Sequence, residues 1–229
     1  MLILLDQKMP GPAKEKLAAY GELVEFATHG ITYEAISGHP DIFFCPTPAG
    51  LIVAPNLPEK YLLLLEHNGI QFTIGDLPVG PEYPASARYN ALFVGNKLIH
   101  NSIITDPTIN RLNPDCEILH LKQGYTRCNL VALNNHLFIT CDRGIEKALK
   151  RLELKALFVN PARVSLAGFE NGFFGGACGI YNRNLFVCGS LNFMKEKTAI
   201  EAIAIEAGLT VVELYNGEPL DVGTILFLE

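Results

Sequence analysis

One short stretch concentrates the residue types that carry chemistry. HLKQGYTRCN places His120, Lys122, Arg127, Cys128 and Asn129 together. An imidazole titrates near neutrality and suits general acid/base work. A thiol beside an arginine and near a histidine can be held as the thiolate, the form that attacks carbon. His120 and Cys128 are therefore candidate catalytic residues, with Arg127 placed to bind a ligand. The plainer reading is a histidine hydrogen-bonded at a strand end and a cysteine that packs as a small apolar residue.

Other candidates stand at comparable places. Cys45, Cys128 and Cys178 each lie at or near the start of a short apolar run, and Asn90 holds that place in another. Cys178 is thus a second candidate nucleophile and Asn90 a candidate ligand-binding residue. Asp41, Arg88 and Asp221 are further polar residues at such starts. Paired carboxylates could orient a cationic ligand, or could only satisfy loop amides. Glu170 and Asn171 open ENGFFGGACG, the most glycine-dense stretch. Its backbone amides could approach a ligand, or its glycines could serve a tight loop needing positive φ. No GK[ST] follows and no GxGxxG occurs, so neither a phosphate loop nor a dinucleotide fingerprint is present.

The elements that must position these residues are bounded first by bulk properties. The chain has 229 residues and a formal charge of −6. That length buries a core without staples. The acidic balance, with no run of Lys or Arg, argues against nucleic acid or an anionic membrane as partner. The six cysteines, Cys45, Cys116, Cys128, Cys141, Cys178 and Cys188, form no CxxC pair and no zinc-type cluster by spacing. Reduced thiols in the cytoplasm are the expectation. MLILLD is too short for a signal peptide, and no apolar run reaches the ~18–20 residues of a membrane helix. Nothing in the spacing implies a metal or organic cofactor. A small-molecule ligand is the expected partner, and a homodimer is compatible with the sequence.

A repeat then organises the chain. Leu2–Asp6, Leu51–Pro55, Leu98–Ser102, Leu137–Cys141 and Leu185–Gly189 are short β-favouring runs whose starts lie 49, 47, 39 and 48 residues apart. Each precedes a helical segment: Pro12–Tyr20, Pro58–Asn68, Pro107–Leu112, Arg143–Leu152 and Lys195–Ala207. Pro near the start and Gly past the end mark several of them. After each helix comes another apolar run: Leu23–Ala27, Gln71–Ile74, Glu117–Leu121, Ala156–Val159 and Val211–Tyr215. Before four of the five central runs comes one more strand: Asp41–Cys45, Tyr89–Val94, Asn129–Leu133 and Cys178–Tyr181. The unit at Leu2 lacks it, and Thr224–Leu228 is left over at the other end. Pairing these two completes a fifth unit, closing a five-unit α/β ring as one domain over residues 1–229. An open α/β sheet with a coincidental rhythm is the alternative. The joins Thr28–Pro40, Gly75–Arg88 and Asn160–Ala177 all link one unit to the next, so they should gather at one end of the ring, where a site would be built.

A five-unit β/α ring resembles the pentein superfamily, the fold of guanidino-group-modifying enzymes. The stretch His120–Lys150 is similar to dimethylarginine dimethylaminohydrolase in its order of elements: HLK, then Cys128, two strands, and a helix containing KALK. The resemblance suggests a bacterial branch of that fold. It implies that His120 is the general acid/base and that a Cys near the start of the last strand attacks the guanidinium carbon. The corresponding stretch here is PLDVGT, Pro219–Thr224, with no Cys. It also implies a guanidinium-gripping carboxylate where this chain has Asn90, with Arg88 beside it to repel a cation. The resulting expectation is a site at the loop end, related to amidine hydrolases but without their nucleophile, holding a neutral or anionic ligand. Cys128 or Cys178 taking over as nucleophile is a variant of it. The alternative is a non-enzymatic interaction module, as the ribosomal anti-association factor of this fold is.

Overall fold

The computed structural model describes residues 1–229. Fifteen strands fall into five three-stranded sheets. The chain runs β1 (Leu2–Asp6), α1 (Gly11–Leu17), β2 (Glu22–Phe26); then β3 (Phe44–Thr47), β4 (Gly50–Val53), α2 (Glu59–His67), β5 (Phe72–Ile74). Next come β6 (Leu92–Val94), β7 (Lys97–His100), α3 (Pro107–Leu112) and β8 (Glu117–His120). A one-turn helix, α4 (Thr126–Asn129), leads into β9 (Leu130–Ala132), β10 (Leu137–Thr140), α5 (Arg143–Arg151) and β11 (Lys155–Phe158). The last elements are β12 (Cys178–Tyr181), β13 (Asn184–Val187), α6 (Lys197–Glu206), β14 (Thr210–Glu213) and β15 (Leu226–Leu228).

Each sheet repeats one design. A first strand pairs antiparallel with a central strand, and the central strand pairs parallel with a third that follows a helix. The central strands β1 and β10 are buried at every position. That is why they read as unbroken apolar runs rather than alternating ones. The helices cover them: α5 turns Ile145 and Leu149 inward, as the spacing predicts. Asp142 and Asp106 cap α5 and α3 with their side chains. Around Phe26, an aromatic cluster with Phe43 and Phe44 edge-on and Tyr61 tilted forms part of the largest core. The C-terminal strand supplies the first unit's missing strand, with Leu2 opposite Leu228 and Leu4 opposite Leu226.

The first strands begin later than their sequence runs predict. The expected starts Asp41, Tyr89, Asn129 and Thr224 lie before the strands proper, and Pro40–Ile42 is a 3₁₀ turn. The reason lies in where their backbone groups go. Asp41 N–H donates to Gly223 O (3.2 Å), Arg127 N–H to Asn90 O (3.0 Å), Gly176 N–H to Cys128 O and Thr224 N–H to Gly176 O (both 2.9 Å). The Asn90 amide donates to Asp41 O at 3.3 Å. These segments therefore bond to the neighbouring unit instead of to a sister strand, and the bonds return to the segment on which they started.

Candidate functional site

Four of the five segments that exchange these bonds bring side chains into one buried cluster, and the fifth enters through the backbone of Gly176. Asp41, Asn90 and Cys128 are almost wholly buried, and Thr224 nearly so. The Cys128 thiol donates to Asp41 Oδ2 at 3.0 Å, and the Thr224 hydroxyl donates to the same oxygen at 2.8 Å. Asn90 brackets Cys128: its carbonyl accepts the Cys128 N–H at 3.2 Å, and its amide donates to Sγ at 3.2 Å. Asp41 Oδ1 is buried without a partner.

Next to this cluster stands His39, two residues before Asp41 and 1% exposed. Its Nε2 lies 3.7 Å from Asp6 Oδ2 and its Nδ1 lies 3.8 Å from Asp221 Oδ1. Both separations exceed hydrogen-bond length, and neither ring nitrogen has another partner. Asp221 is itself held by backbone: Phe173 N–H donates to Oδ2 at 2.9 Å and Gly223 N–H to Oδ1 at 3.1 Å. A side chain at Gly176 would place its Cβ 1.9 Å from Asp221 Oδ1. Gly172 and Gly176 are thus explained by close approach to Asp221, Gly175 by the Arg127–Cys128 backbone and Gly179 by Ile225. Gly172, Gly175, Gly176 and Gly179 all have φ outside the left-handed region, so positive φ is not the reason for them.

Burial dominates the electrostatics. It pushes the carboxyl of Asp221 up to about 7 and that of Asp6 up to about 6, and it raises Asp41 as well. It pushes His39 down to about 3. The Cys128 thiol is held well above its ordinary value, first by burial and then by the charge of Asp41. This corrects the expectation that Arg127 and His120 would lower it. Cys178 is raised well above its ordinary value for the same first cause.

The expected residues separate into groups. Asp41, Asn90, Cys128 and Asp221 meet in or beside the cluster. Arg127 and Cys178 line a cavity of about 180 Å³, walled by Leu92, Leu130, Ile180 and Leu226, and Thr224 and Gly175 line it too. Arg127 Nε is buried there without a partner. His120 is not with them. It is exposed at the end of β8, 2.8 Å from Ser102 Oγ, in a surface groove of about 670 Å³ that it shares with Tyr83, Lys122, Asp142, Lys147 and Arg151. Arg88 donates to Pro78 O and fastens its own loop. Glu170 is exposed, and Asn171 bonds its neighbour Gly172. His39 and Asp6 were not legible as site residues, since one stands in a loop and the other ends a strand. The HPD tripeptide before a strand start was the available signal.

The long joins do meet. Tyr33 packs at a tilt against Phe169 with ring centroids 5.6 Å apart, its hydroxyl is 3.4 Å from that of Tyr125, and Tyr125 lies 2.6 Å from Ser86 Oγ. The charge of a Cys128 thiolate would bear on both tyrosine hydroxyls. Aromatic side chains from three inter-unit loops therefore meet, with Tyr33 and Tyr125 near Cys128.

Solved structures of low identity share this architecture. An amidinotransferase of the saxitoxin pathway from Microseira wollei superposes with a TM-score of 0.55 at 13% identity, covering 94% of this chain and 84% of its own. The dimethylarginine dimethylaminohydrolase of Pseudomonas aeruginosa, in complex with citrulline, gives 0.52 at 11%, covering 90% and 80%. The agmatine deiminase of C. jejuni gives 0.54 at 11%, covering 85% and 69%. These likenesses establish a pentein-type fold. No curated protein matches the chain. No helix is long and apolar enough to cross a membrane. A family model matches residues 4–226, and the chain belongs to that family, the family of unknown function DUF6873.

Proposed function

We propose that the chain is a single-domain, five-unit β/α-propeller closed by its terminal strands, with a ligand site at the loop end of its axis. The circuit of hydrogen bonds through Asp41, Asn90, Cys128, Gly176 and Thr224 supports closure. One observation carries the site: Cys128 and Thr224 both donate to one oxygen of Asp41, while its other oxygen stays buried and unpartnered. A carboxylate held in this way is ready to accept a hydrogen bond from a ligand N–H. With Arg88 turned away and Asp41 and Asp221 facing inward, the ligand fits better as a small donor-bearing molecule, an amide or amidine, than as an anion.

The covalent chemistry of the guanidino hydrolases is not supported. Thr224 stands near the place of their cysteine and spends its hydroxyl on Asp41. His120, the expected acid/base, faces a separate groove. The reading is therefore a binding protein, or a hydrolase of altered mechanism. A second reading, a non-enzymatic interaction module, is favoured by the burial of Asp41, Asn90 and Cys128, which leaves the axis filled. Six free thiols suit the cytoplasm as its compartment.

The test is a thermal-shift screen against arginine, agmatine, methylated arginines, citrulline and simple amides, on wild type, Asp41→Asn and His120→Ala. A ligand that raises the melting temperature of wild type and of His120→Ala, but not of Asp41→Asn, supports the axial site. A shift lost only in His120→Ala moves the site to the groove. No shift with any compound favours the interaction module.

A further inference from the structure

The geometry points to a divalent-metal site formed by His39, Asp41 and Cys128. One ligand atom from each lies within 4.8 Å of the others, and all three side chains are buried. Thiolate, imidazole and carboxylate together are a zinc-type donor set. A tetrahedral ion with bonds of about 2.0 to 2.3 Å separates its ligands by roughly 3.3 to 3.6 Å. The cluster therefore needs to close by only about 1 Å to grip one.

Three independent features point the same way. First, His39 and Asp41 each bring unpartnered atoms to the set, beside a Cys128 thiol that is bonded to Asp41 Oδ2 and Asn90. Both nitrogens of His39 and Asp41 Oδ1 are buried and unbonded, although buried polar groups are nearly always paired. Second, the flanking carboxylates are placed as metal-bound histidines require. When one imidazole nitrogen takes the ion, the other donates to a carboxylate that fixes the ring. Asp6 lies on the Nε2 side and Asp221 on the Nδ1 side, and Asp221 is already fixed by two backbone N–H groups. Third, the charges close. Uptake of a divalent cation releases the Cys128 thiol proton to solvent. The resulting thiolate and the Asp41 carboxylate then balance the two positive charges. Sequence spacing could not reveal the set, because His39 and Asp41 lie on one loop and Cys128 lies on the helical turn before β9, in another unit.

This inference does not rest on the organic-ligand reading: the probe is the metal alone, and the ligand screen is run on metal-free protein. The chelator-treated full chain is titrated with Zn²⁺ and Co²⁺, both folded and during refolding, because burial of all three donors slows entry to the folded form. One equivalent per chain is expected. The Co²⁺ protein should show a thiolate-to-metal charge-transfer band, and X-ray absorption of the Zn²⁺ protein should show one sulfur near 2.3 Å with nitrogen and oxygen near 2.0 Å. Cys128→Ser should abolish the band, whereas Cys45→Ser should keep it. Asp6→Asn should retain the band but weaken binding by about 10- to 100-fold. Absence of uptake in both arms overturns the proposal. So does a sulfur-free shell in wild type, which holds even where a variant fails to fold, and so does a band that survives Cys128→Ser.

Discussion

His100 shows how firmly single residues are set in this fold. Its Nε2 donates to Gly124 O at 2.8 Å, and its Nδ1 lies 2.7 Å from Thr105 Oγ1. Burial pushes its pKa from 6.5 down to about 4. A folded-state pKa below the unfolded one means that the unfolded chain binds the proton first. The stability His100 provides is therefore complete above about pH 6.5 and is lost as pH falls toward 4. The loss is about 3 kcal/mol, at 1.36 kcal/mol per unit. Urea unfolding of wild type and His100→Gln between pH 7.5 and pH 4 should show the stability gap between them closing by that amount as pH falls, and a constant gap would refute it. Cys128 gives a second expectation at this scale. A buried thiol held far above its ordinary pKa is almost never thiolate at neutral pH. Iodoacetamide should leave Cys128 unmodified in the folded protein and label it after denaturation, as read by peptide mass. Labelling of the native protein at Cys128 would restore it as a nucleophile.

At the scale of elements, two aspartates do similar work with different stakes. Asp142 caps α5 with Oδ1, which accepts from Gly144 N–H (2.6 Å) and Ile145 N–H (2.9 Å) at a partly exposed helix start. Asp106 caps α3 through Thr108 N–H (2.9 Å), but its fully buried carboxylate also accepts from Leu77 N–H (2.8 Å), and Tyr89 Oη lies 3.0 Å away. Asp142→Ala should cost about 1 kcal/mol, the usual worth of an N-cap. Asp106→Ala strands the buried Thr108 N–H and the Leu77 N–H and should cost about 3 kcal/mol. Equal midpoints in urea for the two variants would show that Asp106 is not the tie between α3 and the 75–88 loop. The contrast explains what the sequence could reveal. Asp106 reads as a cap because its partner is two residues away, whereas its bonds to Leu77 and Tyr89 cross between elements. The same holds for the site. Leu137–Thr140 announces itself as a buried strand from its own composition. Nothing local says that Asp41 and Thr224 share a hydrogen bond. The HLK stretch drew attention to His120 by its residue types, yet its position at the exposed end of β8 is set by tertiary packing.

For the whole molecule, the recurrence of the strand–helix–strand run made the five-fold organisation readable, because each unit solves the same burial problem with the same pattern. The pairing of the two terminal strands was readable only as an unpaired strand at each end, and Leu2 lies opposite Leu228. That pairing has a consequence. In the first unit the chain is interrupted between the first and the central strand, which elsewhere are joined by a tight turn, as β12 is to β13. Residues Asn182 and Arg183 form that turn, both with positive φ (45° and 62°), which suits a two-residue hairpin connection. The fold should therefore tolerate exchanging one break for another. A circular permutant that joins Glu229 to Met1 through a short Gly/Ser linker and opens between Asn182 and Arg183 moves the interruption to the fifth unit and leaves every sheet pairing available. It should unfold in one cooperative transition with the wild-type urea slope, since that slope follows the surface exposed on unfolding. Deleting Thr224–Glu229 instead removes the first unit's outer strand and the Thr224 bonds to Asp41 and Gly176. The deleted chain should lose the cooperative transition. If the permutant melts broadly while the deletion stays cooperative, the units are not locked into a ring and an open array of sheets describes the molecule better.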